Sequence, residues 1–129
     1  MKDNEFGEYL KKLRKSQIPK MSQEDLAKKI GRGKMTISQF EGGKNTPPQG
    51  SLLTKIANAM SLSDTERKRL FFLAAQSRGC VPSDIETYFF ENPEICDAIR
   101  AAMNSKQEID WSNIALNIGC RDEKDKRTN

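Results

Sequence analysis

The chain has no histidine, and its three cysteines, Cys80, Cys96 and Cys120, lie far apart. Zinc sites draw on ligand pairs spaced as C-x2-4-C or H-x3-5-H, and neither spacing occurs. An odd number of scattered cysteines gives no disulfide framework, so reduced thiols in a cytosolic protein are expected. Long apolar runs are missing as well. No stretch approaches the ~20 residues that span a bilayer, and the charged start has no signal-peptide core. These absences predict a soluble, cytoplasmic protein without a metal or cofactor. Without histidine, general-base chemistry falls to scattered carboxylates with no pairing signature, so no enzymatic activity is expected. Gly43-Lys44 does not open a phosphate loop, because Asn45 follows where Ser or Thr is needed and Ser38 replaces the first glycine. Gly31-x-Gly33 joins two helices, not a strand to a helix.

What the chain does have is an uneven distribution of charge. Residues 1–77 hold 15 Lys/Arg against 8 Asp/Glu, net +7, whereas residues 78–129 hold 7 against 10, net −3. A basic front half attracts polyanions, and its binding should be salt-sensitive. Within that half, residues 22–42 read SQEDLAKKIGRGKMTISQFEG. Ser22 is a good N-cap, and Asp25 makes a variant of the capping box. Leu26, Ala27 and Ile30 share one helical face. Gly31 ends that helix, because glycine takes the left-handed C-terminal conformation without steric cost. A second helix follows at once, with Ile37 and Phe40 turned inward. The pattern is a helix-turn-helix, whose second helix can enter the major groove of DNA. Lys34, Thr36, Ser38 and Gln39 face outward or sideways, with no acid until Glu41. A solvated helix more often carries Glu/Lys pairs there. Short donors and acceptors suit phosphates and base edges.

The same residues resemble the DNA-binding domain of phage-repressor-like regulators (Cro/repressor type, the XRE family). The likeness runs through S-Q-E-D-L-A-K-K-I-G, T-I-S-Q-F-E-G-G-K, two prolines and L-L-T-K-I-A-N-A-M, covering about Phe6 to Ala75. It implies an all-α fold, a five-helix lambda-repressor-like DNA-binding domain with a short helical C-terminal extension. The resemblance implies base-reading positions at Lys34, Met35, Thr36, Ser38 and Gln39. Lysine can donate to guanine or neutralise a phosphate, and glutamine can pair bidentately with an adenine edge. Met35 either touches a thymine methyl or covers the turn. Ser22, Gln23, Lys44, Asn45 and Thr46 are implied as the phosphate set. Arg14 and Glu41 match positions that pair as an ion bridge, tying the first helix to the end of the third. Such a pair orients the reading helix more than it stabilises the fold, if partly exposed. Double-stranded DNA is the implied partner.

Helical spacing continues on both sides. Asn4 or Asp3 can cap a first helix bearing Phe6, Leu10 and Leu13. Pro47-Pro48 lies in a loop, then Leu53, Ile56, Ala57 and Met60 mark a fourth helix. Ser63 with Glu66 starts a fifth, with Leu70, Leu73 and Ala74. The helix-turn-helix domain is thus expected over residues 1–78. Gly79 opens a helical extension over 79–120, with a capping box at Ser83 and Glu86, a helix start at Asn92-Pro93 and a cap at Asp110. Residues 121–129, RDEKDKRTN, read as a disordered charged tail. Residues 82–103 also resemble a tail of some members of the family, which assigns no biochemical role.

Tyr88, Phe89 and Phe90 with Trp111 form either a satellite core or a dimer interface. Phe71 and Phe72 are adjacent and cannot both enter one core, so at least one should meet the tail or a second chain. All six are candidates for a homodimer interface. A dimer would set two reading helices about 34 Å apart and read a palindromic operator. The expected function is therefore that of a dimeric transcriptional repressor. The alternatives are an antitoxin-type or adaptor protein working through its extension, and a ligand-gated switch with an apolar pocket.

Overall fold

The computed structural model describes residues 4–128, with side chains described through Cys120. Its described residues form helices and no strands: α1 (Glu5–Lys15), α2 (Gln23–Ile30), α3 (Lys34–Gly42), α4 (Gly50–Ala59), α5 (Asp64–Arg78), α6 (Glu86–Glu91), α7 (Glu94–Asn104) and α8 (Trp111–Thr128). Two compact units divide the chain between Glu91 and Asn92. The boundary read at Gly79 is thereby displaced, because α6 belongs with the front unit.

In the front unit, α1 packs on α3 and α5, α2 on α3 and α4, and α4 on α5. Local sequence starts two of these helices through side-chain caps. Ser22 Oγ accepts from Asp25 N–H at 3.0 Å and Ser22 N–H donates to Asp25 Oδ2 at 2.9 Å, completing the box that opens α2. The same exchange between Ser63 and Glu66, at 3.1 and 2.9 Å, opens α5. Gly31 closes α2 at φ 71°. The apolar faces then meet in one core built on Phe6, Leu10, Leu26, Ile37, Leu53, Ile56, Leu70 and Phe71. Side chains repeating at three and four positions make that closure possible, and burial of this apolar surface drives it.

Phe71 is a correction to the expected dimer set. It is 2% exposed and lies in the core, whereas Phe72 is 54% exposed. Adjacent helical positions diverge by about 100°, and α5 packs on both α1 and α4, so its buried stripe is wide enough to take in Phe71. Arg67 covers that ring at 5.4 Å from its centroid.

The Asn4 side chain also departs from its expected capping role. Its Nδ2 donates to the Glu41 carbonyl at 2.8 Å, across 37 residues of chain. Gly7 makes this approach possible: a Cβ there would lie 2.5 Å from the Phe40 and Glu41 carbonyl oxygens. The beginning of α1 is thus clasped to the end of α3.

In the second unit, Asn113 N–H donates to Asp110 Oδ1 at 3.0 Å, capping α8. No described side chain from Asn92 to Cys120 is buried. The charged tail is a further correction, since α8 runs on to Thr128. No proline or glycine interrupts residues 121–128, and Asp122 and Glu123 precede Lys126 and Arg127 by four positions, the order that favours a helix. Asn129 lies outside the described residues. The box read at Ser83 and Glu86 does not form either. Residues 83–85 make a turn, and the Ser83 hydroxyl is buried without a hydrogen-bond partner.

Candidate nucleic-acid interface

The orientation of α3 follows from which of its side chains the core accepts. Ile37, Phe40 and Glu41 point inward, Lys34, Met35 and Ser38 are exposed, and Thr36 and Gln39 are half-buried at the edge. The five expected base-reading positions therefore occupy one outward strip with its flank. Gly33 caps the helix without a side chain, and the first turn holds no acid. The positive end of the α3 dipole is thus left uncovered beside Lys34, a setting that attracts phosphate.

Beneath this strip lies a buried charge network. Arg14 Nε reaches Glu41 Oε2 at 2.6 Å and Arg14 Nη2 reaches Oε1 at 3.0 Å. The remaining guanidinium nitrogen, Nη1, donates to the Met21 carbonyl at 2.9 Å. Gln23 Nε2 adds a third donor to the carboxylate, at 3.0 Å from Oε1. The paired side chains are only 8% and 4% exposed. The pair is buried, so the condition of partial exposure does not hold and its weight in stability grows. A fork-shaped guanidinium meeting both carboxylate oxygens fixes direction as well as distance. Four elements converge there: α1, the Met21 connection, α2 and α3.

The expected phosphate set divides in two. Ser22 and Gln23 are engaged within the protein, Ser22 in its capping box and Gln23 on Glu41. Asp25 sits on the same cap, and the Ser22 backbone and side-chain hydrogen bonds hold its carboxyl below the ordinary value. A carboxylate at this helix start competes with an incoming phosphate. Lys44, Asn45 and Thr46 are exposed on the loop leaving α3, and of these the Asn45 side chain is also engaged within the protein. Lys44 N–H donates to the Gln39 carbonyl at 2.9 Å, and Asn45 Nδ2 donates to Gln39 Oε1 at 2.6 Å. Further along, Pro47 and Pro48 are buried and Arg78 Nε donates to the Pro47 carbonyl at 2.9 Å. Asn4, Gly7 and Arg78 thus support the interface from distant positions that no local spacing picks out.

Residues 5–70 match the family described as a helix-turn-helix domain. The chain belongs to that family. No curated protein and no solved structure matches it. The helix-turn-helix domain points to a DNA-binding regulator, with α3 as the second helix of the motif and α2 crossing behind it. Among the described residues, no helix is long and apolar enough to cross a membrane.

Proposed function

We propose that this chain is a sequence-specific transcriptional regulator of the Cro/repressor type, acting from the cytoplasm as a dimeric repressor of a palindromic operator. Helices α1–α5 form the five-helix lambda-repressor-like domain, and α3 enters the major groove. Lys34, Met35, Thr36, Ser38 and Gln39 meet base edges, and Lys44, Asn45 and Thr46 meet phosphates. Gln23 positions Glu41. Blocking a promoter by occupancy needs no catalysis and no cofactor. The observation that carries this reading is the outward polar strip of α3, mounted on the buried Arg14–Glu41 network. Phe72, Tyr88, Phe90 and Trp111 are exposed aromatic groups that suit association, with Phe89 half-buried beside Phe90.

Selection of bound duplexes from a random pool, using the purified chain, tests the reading. An enriched inverted repeat with half-sites about one helical turn apart is the expected result. Salt-sensitive binding with no enriched sequence would reject operator recognition.

A second reading has its own observation. The second unit leaves Ile99, Met103, Trp111, Ile114, Leu116 and Ile118 exposed. An adaptor or antitoxin-type protein would use that surface to hold a different protein. A stable monomer in solution would favour it over the repressor.

A further inference from the structure

We propose that Asn45 is a positioning residue that decides which base edge Gln39 reads, an inference that rests on base reading by α3. The link is the hydrogen bond from Asn45 Nδ2 to Gln39 Oε1, 2.6 Å long. Its geometry is held from both directions along the loop. Lys44 N–H and Asn45 N–H both donate to the Gln39 carbonyl, at 2.9 and 3.4 Å, after Gly43 has turned the chain in a left-handed conformation. Two residues later, buried Pro47 is anchored through its carbonyl by Arg78.

A primary amide offers an acceptor on one side and two donors on the other. With its oxygen engaged by Asn45, Gln39 turns its NH2 group toward the groove. A bidentate pair with adenine needs both ends, the oxygen for N6–H and the nitrogen for N7. An outward NH2 matches edges that only accept, namely guanine N7 and O6 or thymine O4. Asn45 takes one of the two lone pairs of Gln39 Oε1 and leaves the NH2 outward, so Gln39 in this chain favours guanine or thymine, and adenine gains when Asn45 releases the oxygen.

The test compares base preferences of the full chain and its variants in the same random-duplex selection. Gln39→Ala identifies the position, as the one whose preference disappears. At that position the unaltered protein is expected to favour guanine or thymine. Asn45→Ala should move the preference toward adenine by about fivefold, the effect of one base-edge contact. Asn45→Asp can only accept, so it draws the Gln39 NH2 inward and turns Oε1 outward, favouring the amino edges of adenine and cytosine. The ratio is read within one pool, so a general loss of affinity caused by the added charge does not enter it. Adenine at the Gln39 position in the unaltered protein, or an unchanged preference in both Asn45 variants, would overturn the inference while leaving DNA reading intact. Failure of the unaltered protein to enrich any sequence would remove DNA reading itself, and this inference with it.

Discussion

In the front unit, every helix from α1 to α5 gives its apolar face to a shared core, and even an arginine and a glutamate are buried with their hydrogen bonds met. The second unit has apolar spacing as regular, with Ile95, Ile99, Ala102 and Met103 along α7, yet none of its described side chains is buried. Amphipathic pattern specifies a face; it does not supply the surface that covers it. The front unit contains both halves of its own packing. The second unit's exposed apolar residues are what the proposed dimer would use, with covering supplied by another chain.

The sharpest way to break the front unit is to strand one buried charge. Glu41→Ala leaves Arg14 without its carboxylate, and a loss of about 3–5 kcal/mol is expected in denaturant unfolding. Replacing both, as Arg14→Met with Glu41→Leu, should cost less than the single change, because no uncompensated charge remains. A double variant at least as unstable as the single would show that the pair itself, and not the orphaned charge, dominates.

Phe71 and Phe72 put the comparison inside a single helix. Phe71→Ala should cost about 3–5 kcal/mol by opening a cavity. Phe72→Ala should change unfolding of the isolated chain by less than about 0.5 kcal/mol. Equal losses at the two positions would contradict the placement of these rings. For the second unit the expected signs are reversed. Met103, 77% exposed, and Trp111, 52% exposed, should tolerate alanine with little change in unfolding. The same pair of changes should weaken self-association by about 2 kcal/mol, read by sedimentation across concentrations. Unaltered association would move the interface elsewhere.

A smaller effect is expected at Lys44. Lys44→Ala should weaken binding to all DNA sequences and reduce the salt slope by about one. A slope identical to that of the unaltered protein would remove Lys44 from the phosphate set. The smallest effect concerns Asp25. Its carboxyl is held below the ordinary value of 3.8 by its bonds with Ser22. The folded state therefore gains stability from it above that value and loses it as pH falls through the lowered one. Asp25→Asn should flatten the acid end of the stability curve below about pH 4 and leave its slope near neutrality unchanged. An acid limb with the same slope would mean that the cap contributes nothing pH-dependent.

What the sequence revealed was whatever depends on near neighbours. The inward faces of α2 and α3, the boxes at Ser22 and Ser63 and the end of α2 at Gly31 all follow from residues three or four apart. The family likeness added the long-range pair Arg14 and Glu41. Burial of that pair was not legible, because it depends on how Gln23 and the Met21 carbonyl close around it. Nor was the choice of Phe71 over Phe72, which rests on which helices flank α5. Asn4 reads from its neighbours as a cap, and neither its bond to Glu41 nor the need for Gly7 was legible, because the partner is 37 residues away from Asn4. At Ser83 the local rule was present and gave way to a turn. The charged residues from Arg121 on read as disorder, although charge alone does not stop a helix where no proline or glycine follows.

The clasp between Asn4, Gly7 and the Glu41 carbonyl also bears on how a double helix is fitted to this protein. Helix α3 is tied at Glu41 twice, through its carbonyl to Asn4 at the start of α1 and through its carboxylate to Arg14 and Gln23, which fixes its C-terminal end against the rest of the front unit. If the chain acts as the proposed dimer, the duplex would do the adjusting, by bending or changing groove width until both half-sites meet their helices. Sequence at base pairs the protein never touches would count through its stiffness, so flexible pyrimidine–purine steps between half-sites should favour binding as directly as any contacted base.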